Sequence, residues 1–200
     1  MAQLIKLNDY ISRYEWDIYR YPTQFMRIKQ EHWKKLYAMW SHQHEELWLE
    51  EIEEAQSDEP KSFFSKLKAR LVRDGGSEDR IENQITFDQI LPATEEELKR
   101  YFLDKLYPFQ LKWATSTVSH VSFIDPAYEH DSNLKFFLQR FPDIYLIMYE
   151  PIFQIKKAVV DGAIMMISPI GIEILTLLEA GPDDVIIADG DRTWMIQNET

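Results

Sequence analysis

The sequence predicts an α+β protein with a helical amino-terminal half and a carboxyl-terminal antiparallel β-meander on which one helix packs. Apolar residues recur at three- and four-residue steps in the first half of the chain, which is typical of helices buried on one side. After about residue 143 the chain breaks into short apolar segments separated by turn residues, which indicates strands joined by hairpins. We therefore divide the chain into a helical region over residues 1–110 and an α+β region over residues 111–200.

Each predicted helix has a recognisable start or a regular apolar spacing. Thr94 and Glu97 have the spacing of a capping box, and Pro108 is expected to end or bend the helix that they open. The other predicted helices are a short one after Asn8, a long one over 24–55, a basic one over 61–73 and a short one opened by Asp131 or Ser132. The basic helix is expected to lie against the acidic end of the long helix.

The strand predictions follow from β-branched and apolar runs. A first strand is expected over 116–124, and six more between residues 143 and 197, where short connections predict antiparallel neighbours. In the first of these, Ser119 and His120 would point to opposite faces of a strand. They are therefore not expected to form a nucleophile–base pair by themselves.

Composition limits the classes of function. The chain has 200 residues, a formal net charge of −12 and no cysteine, so disulfides and thiolate metal sites are excluded. The negative charge disfavours nucleic acid as a partner, because it repels a phosphate backbone. No apolar run reaches the length of a membrane span, and we expect a cytoplasmic protein.

In the stretch VVDGAIMMISPIGIEILTLLEA, Asp161 stands just before a first apolar run, and a second apolar run carries Glu173 inside it and Glu179 at its end. Acids on adjacent strands can hold Mg²⁺ at a scissile phosphate, so the candidate catalytic residues are Asp161, Glu173 and Glu179. The simpler interpretation is a hairpin with solvated acids at its edges.

The segment FPDIYLIMYEPIFQIKKAVVDGAIMMISPIGIEILTLLE resembles the bacillar type of the nuclease-related domain (NERD) family over about residues 141–197. The resemblance implies a restriction-endonuclease-like core, which would need a further helix and strand at the carboxyl terminus. The family's Asp, Glu and Lys would fall at Ala163, Thr176 and Leu178. None of these carries the required residue, so the implied metal site is incomplete.

The resulting hypothesis is a nucleic-acid-associated nuclease-related protein that is not an active nuclease. It has no cofactor, and Mg²⁺ would bind only if the nuclease interpretation held. The alternative is a non-catalytic interaction protein that binds a protein partner through its acidic, aromatic helical half.

Overall fold

A computed structural model describes residues 1–54, 85–88, 90–117, 119–178, 180–181, 184–189 and 193–198. Three α-helices fall within these ranges: α1 (Arg20–Glu54), α2 (Glu95–Ala114) and α3 (Ser132–Arg140). The strands are β1 (Gln3–Leu7), β2 (Leu146–Tyr149), β3 (Ile152–Ile155), β4 (Ala158–Asp161), β5 (Ile164–Ser168), β6 (Gly171–Leu175), β7 (Asp184–Asp189) and β8 (Thr193–Asn198). The predicted α+β class is confirmed.

The helices begin where local side-chain chemistry satisfies their first N–H groups. Both hydrogen bonds of the predicted capping box are present at the start of α2, between Thr94 and Glu97. Asp131 caps α3 in the same way, and its carboxylate accepts from the backbone N–H groups of Asn133 and Leu134. Pro108 does not end α2, which continues to Ala114.

The sheet contains a long-range parallel contact that the sequence analysis did not predict. Its strand order is β1-β2-β5-β6, with β1 parallel to β2 and the other neighbours antiparallel. The β3–β4 and β7–β8 hairpins form separate two-stranded sheets, so the predicted meander is not contiguous. This topology does not confirm a restriction-endonuclease-like core, and the two-region division of the chain stays a prediction.

The predicted first helix is wrong. Residues 3–7 form the buried strand β1, and Asn8 ends it with a φ of 43°, where its N–H donates to the carbonyl of Tyr149. Only a short 3-10 turn, Arg13–Glu15, follows before α1. Asparagine tolerates this left-handed conformation, so the same residue type that caps helices here stops a strand.

The core lies between the sheet and the helices. The side-chain amide of Gln110 on α2 donates to the carbonyl of Ala2 at 2.9 Å, and the N–H of Ala2 donates to Leu138 of α3 at 2.7 Å. Trp113 is the largest fully buried side chain, and Phe25 of α1 packs beside it with 6.2 Å between ring centroids. Strand β1 is thus buried, and Ala2, which directly precedes it, is hydrogen-bonded to both α2 and α3.

Two further predictions concern the basic helix and membrane-spanning segments. The basic helix predicted over 61–73 lies outside the described residues. Its predicted pairing with the acidic end of the long helix therefore stays a prediction. None of the helices described is long and apolar enough to cross a membrane.

Candidate functional site

The three acids predicted from the sequence do not form one site in the described structure. Asp161 ends β4 opposite Ile152, whereas Glu173 lies in the middle of β6 opposite Met166, in a different sheet. Asp161 lines a cleft of about 390 Å³ whose lining does not include Glu173. Glu179 lies outside the described residues. A catalytic role for any of them stays a prediction.

The position of Glu173 suggests a structural role. Paired residues of an antiparallel sheet share a face, so Glu173 points to the same side as Met166, which is 1% exposed. Strand β6 is an edge of the sheet, and Ile172 and Ile174 are exposed on its other face. An inward-pointing charge on an apolar edge strand opposes edge-to-edge pairing with another chain.

We therefore expect Glu173→Val to cause concentration-dependent self-association, measured by analytical ultracentrifugation. Glu173→Lys is the control, because either sign of charge keeps the edge solvated. A Glu173→Val protein that stays as monodisperse as the Lys variant would contradict this role.

A larger cleft, which we call the helix–turn cleft, lies between α2 and the chain that follows it. It measures about 520 Å³, and its lining combines two cations, a hydroxyl, a carboxylate and aromatic rings. The lining includes Lys105, Lys112, Ser122, Glu129, Phe109 and Phe123. Phe123 is fully exposed, so its ring is open to a ligand or partner.

A tight turn next to this cleft brings Ser119 and His120 together. The N–H of Thr117 donates to the carbonyl of His120 at 2.7 Å, and the N–H of His120 donates to Thr117 Oγ1 at 3.2 Å. Ser119 Oγ lies 2.8 Å from His120 Nδ1, within hydrogen-bond distance. The predicted strand over 116–124 is therefore wrong: only a Ser116–Val121 bridge forms, and the turn, unlike a strand, lets adjacent side chains meet.

This contact leaves one ring nitrogen of His120 available for chemistry. Nδ1 faces the Ser119 hydroxyl, and Nε2 has no hydrogen-bond partner among the residues that the structure describes. His120 is exposed and directly precedes Val121 and Ser122 of the cleft wall. The lining of the cleft does not include His120 itself, but an imidazole held in this way can accept a proton from a water molecule that reaches Nε2.

Arg13 anchors the base of the turn. Its Nε donates to the carbonyl of Ser116 at 2.9 Å, and its Nη2 donates to Ser116 Oγ at 2.8 Å. The guanidinium carbon lies 3.6 Å from the centroid of Trp113, in a cation–π contact. The turn is thus tied to the core rather than held only by its own hydrogen bonds.

The two lysines of the cleft differ in their surroundings. Lys105 Nζ lies 3.1 Å from Asp88 Oδ2, and this contact raises the pKa of the Lys105 amine and lowers that of the Asp88 carboxyl. Lys112, seven residues further along α2, forms no ion pair with any part of the chain described. Among the residues described, Asp88 offsets the charge of Lys105, whereas no carboxylate offsets that of Lys112.

The cleft therefore presents an ammonium group, hydroxyls and an aromatic platform, and the imidazole of His120 directly precedes its wall in the chain. Those groups suit an anionic, ring-containing ligand and proton transfer to or from water. Within the residues described, no group of three or more His, Asp or Glu side chains is arranged to hold a metal ion.

Comparison with known proteins gives one informative similarity. A curated protein from Geobacillus stearothermophilus named RNA 2',3'-cyclic phosphodiesterase is 35% identical over 119 residues, which cover 55% of this chain. The match covers 36% of that protein, so the chain spans about a third of its relative's length. No protein-family model and no solved structure matches the chain.

The name of this relative contradicts the resemblance to the nuclease-related domain family. It also contradicts the function expected from the sequence, which was that of a nuclease-like protein or of a non-catalytic interaction protein. Its name is that of an enzyme, so the expectation that catalysis is absent is also overturned. The resemblance depended on the order of short apolar strands and turns in residues 141–197. Such patterns recur in many sheets, because they reflect burial and turn geometry rather than chemistry.

Proposed function

We propose that this protein hydrolyses 2′,3′-cyclic phosphodiesters of RNA or its nucleotides, and that the helix–turn cleft is the site. The observation that carries the proposal is the 35% identity to a protein named RNA 2',3'-cyclic phosphodiesterase. Because the chain spans only about a third of that relative, the activity also needs support from the chain's own residues. The composition of the helix–turn cleft provides that support.

Each group of the cleft has a role in this reaction. Lys112 binds the phosphate oxygens and stabilises the negative charge that grows on them as a fifth oxygen approaches phosphorus. His120 Nε2 accepts a proton from the attacking water, and Ser119 positions the ring through Nδ1. Ser122 donates a hydrogen bond to a phosphate oxygen, and Phe123 stacks on the nucleobase.

The proposed reaction consumes one water molecule. The water oxygen forms a bond to phosphorus as its proton passes to His120, and the bond from phosphorus to one ribose oxygen breaks. That ribose oxygen takes a proton from water at the mouth of the cleft, and the proton on His120 returns to solvent. The product is a 2′- or a 3′-monophosphate, according to which ribose oxygen leaves.

We expect the purified chain to convert nucleoside 2′,3′-cyclic monophosphates to monophosphates, measured by anion-exchange chromatography. The expectation of no cofactor carries over to this proposal, so the rate should be unchanged by EDTA. The matched control substrate is the 3′,5′-cyclic isomer, whose phosphorus is in an unstrained six-membered ring and should react far more slowly. No turnover of the 2′,3′-cyclic substrate would overturn the proposal.

Two other expectations remain predictions beside this proposal. A cytoplasmic location is one, and a protein partner bound by the helical region of residues 1–110 is the other. Neither is needed for the reaction at the helix–turn cleft.

A further inference from the structure

We infer, resting on the proposed function, that the helix–turn cleft takes a substrate with a single phosphate and discriminates against long RNA. Its preferred substrate is then a 2′,3′-cyclic mononucleotide, or a very short oligonucleotide that ends in the cyclic phosphate. The charges around the cleft and on the whole molecule lead to this inference.

Among the residues described, the charge of the lining provides for one phosphate only. Lys105 already shares its charge with Asp88, whose carboxylate also accepts from the Tyr101 hydroxyl at 3.0 Å. Lys112 is therefore the one cation of the lining that no described carboxylate offsets. Glu129 lines the same cleft, so a second phosphate would meet a negative side chain. One ammonium group balances one phosphodiester charge and no more.

The charge of the whole chain acts in the same direction. The formal net charge is −12, and screening in dilute salt extends over tens of ångströms. Each additional phosphate of a longer RNA would enter this negative field. Repulsion between like charges slows association, just as attraction between opposite charges speeds it. A mononucleotide carries one such charge and is repelled least.

The apolar part of the cleft matches one nucleoside. Phe123 is fully exposed and Phe109 lies in the same lining, so a base has a ring to stack against. Stacking against one aromatic side chain tolerates any base, because every base has a π-face. Recognition then depends on the terminal nucleoside and its cyclic phosphate rather than on the strand that precedes it.

The test compares a 2′,3′-cyclic mononucleotide with an oligonucleotide of about ten residues ending in the same cyclic nucleotide, between about 20 and 500 mM NaCl. At low salt we expect kcat/KM to be at least about tenfold higher for the mononucleotide, and the two values to converge as salt rises. A faster reaction with the oligonucleotide at low salt would overturn this inference and leave the proposed function standing. No reaction with either substrate would overturn both.

Charge variants separate local from general effects. Glu129→Gln should narrow the difference in kcat/KM between the two substrates at low salt, whereas Glu31→Gln, on α1, should leave that difference unchanged. Lys112→Gln should lower kcat/KM for both substrates, whereas Lys99→Gln, on the same helix and paired with Glu95, should not. Equal effects of Lys112→Gln and Lys99→Gln would contradict a phosphate site at Lys112.

Discussion

Replacing His120 by glutamine is expected to lower kcat/KM for 2′,3′-cyclic nucleotides by about 10²–10⁴-fold, the usual contribution of a general base. Glutamine preserves much of the polarity of the side chain but cannot accept a proton from water. His120 is exposed and its turn is also held by contacts of Thr117 and Arg13, so the substitution should change the free energy of unfolding little. The loss should therefore appear in catalysis and not in folding.

Two controls make this result specific. His42→Gln removes an exposed histidine on α1 and should leave kcat/KM unchanged. His120→Ala should recover part of its activity when imidazole is added, because the exposed position gives the small base access to the cleft. If His120→Gln retained wild-type kcat/KM, or if imidazole had no effect on an inactive His120→Ala, His120 would not be the base.

The elements that the sequence predicted correctly are those fixed by local chemistry. The capping box at Thr94 and the Asp131 cap each join residues two or three positions apart, so their geometry can be inferred from spacing. Most strand segments after residue 143 were also recognisable, because short apolar runs between turn residues leave few alternatives, but the strand predicted over 153–160 is wrong and forms two strands, β3 and β4. These features required no knowledge of the rest of the chain.

The elements that were missed depend on contacts between distant residues. Strand β1 pairs Gln3 with Leu146, and nothing near Gln3 in the sequence indicates a parallel partner so far along the chain. The β3–β4 hairpin leaves the sheet between β2 and β5, with Lys156 at a φ of 59° in its turn. The sequence predicted a single strand over 153–160 where this hairpin lies, and it did not indicate the sheet that each hairpin joins.

The candidate site shows the same limit. The sequence analysis selected acids on neighbouring strands, whereas the helix–turn cleft combines a face of α2 with the turn after it. One signal was available: Lys105 and Lys112 are seven residues apart, which places them on one side of a helix. The exposure of Phe123 and the contact between Ser119 and His120 were not accessible, because a β-branched run predicted a strand with alternating faces.

Trp113→Ala is expected to have the largest effect on stability, about 3–5 kcal/mol in the free energy of unfolding measured by chemical denaturation. Trp113 is 2% exposed, and its indole N–H donates to the Tyr14 hydroxyl at 3.2 Å. Truncation would leave a cavity beside Phe25 and remove the partner of a buried hydroxyl whose pKa is already raised by burial. Such a loss is a large fraction of the total stability of a typical domain.

Trp16→Ala is the matched control, because Trp16 is 78% exposed and its loss should change the free energy of unfolding by no more than about 0.5 kcal/mol.

The two variants also separate the effect on the core from the effect on the site. Arg13 stacks on Trp113 and holds Ser116 at the base of the turn that carries His120, so under the proposed function Trp113→Ala should lower activity even under conditions where the protein remains folded. Trp113→Phe keeps a ring under the guanidinium and should retain more activity than Trp113→Ala. If the folded Trp113→Ala protein kept wild-type kcat/KM, the position of His120 would not depend on the contact between Arg13 and Trp113.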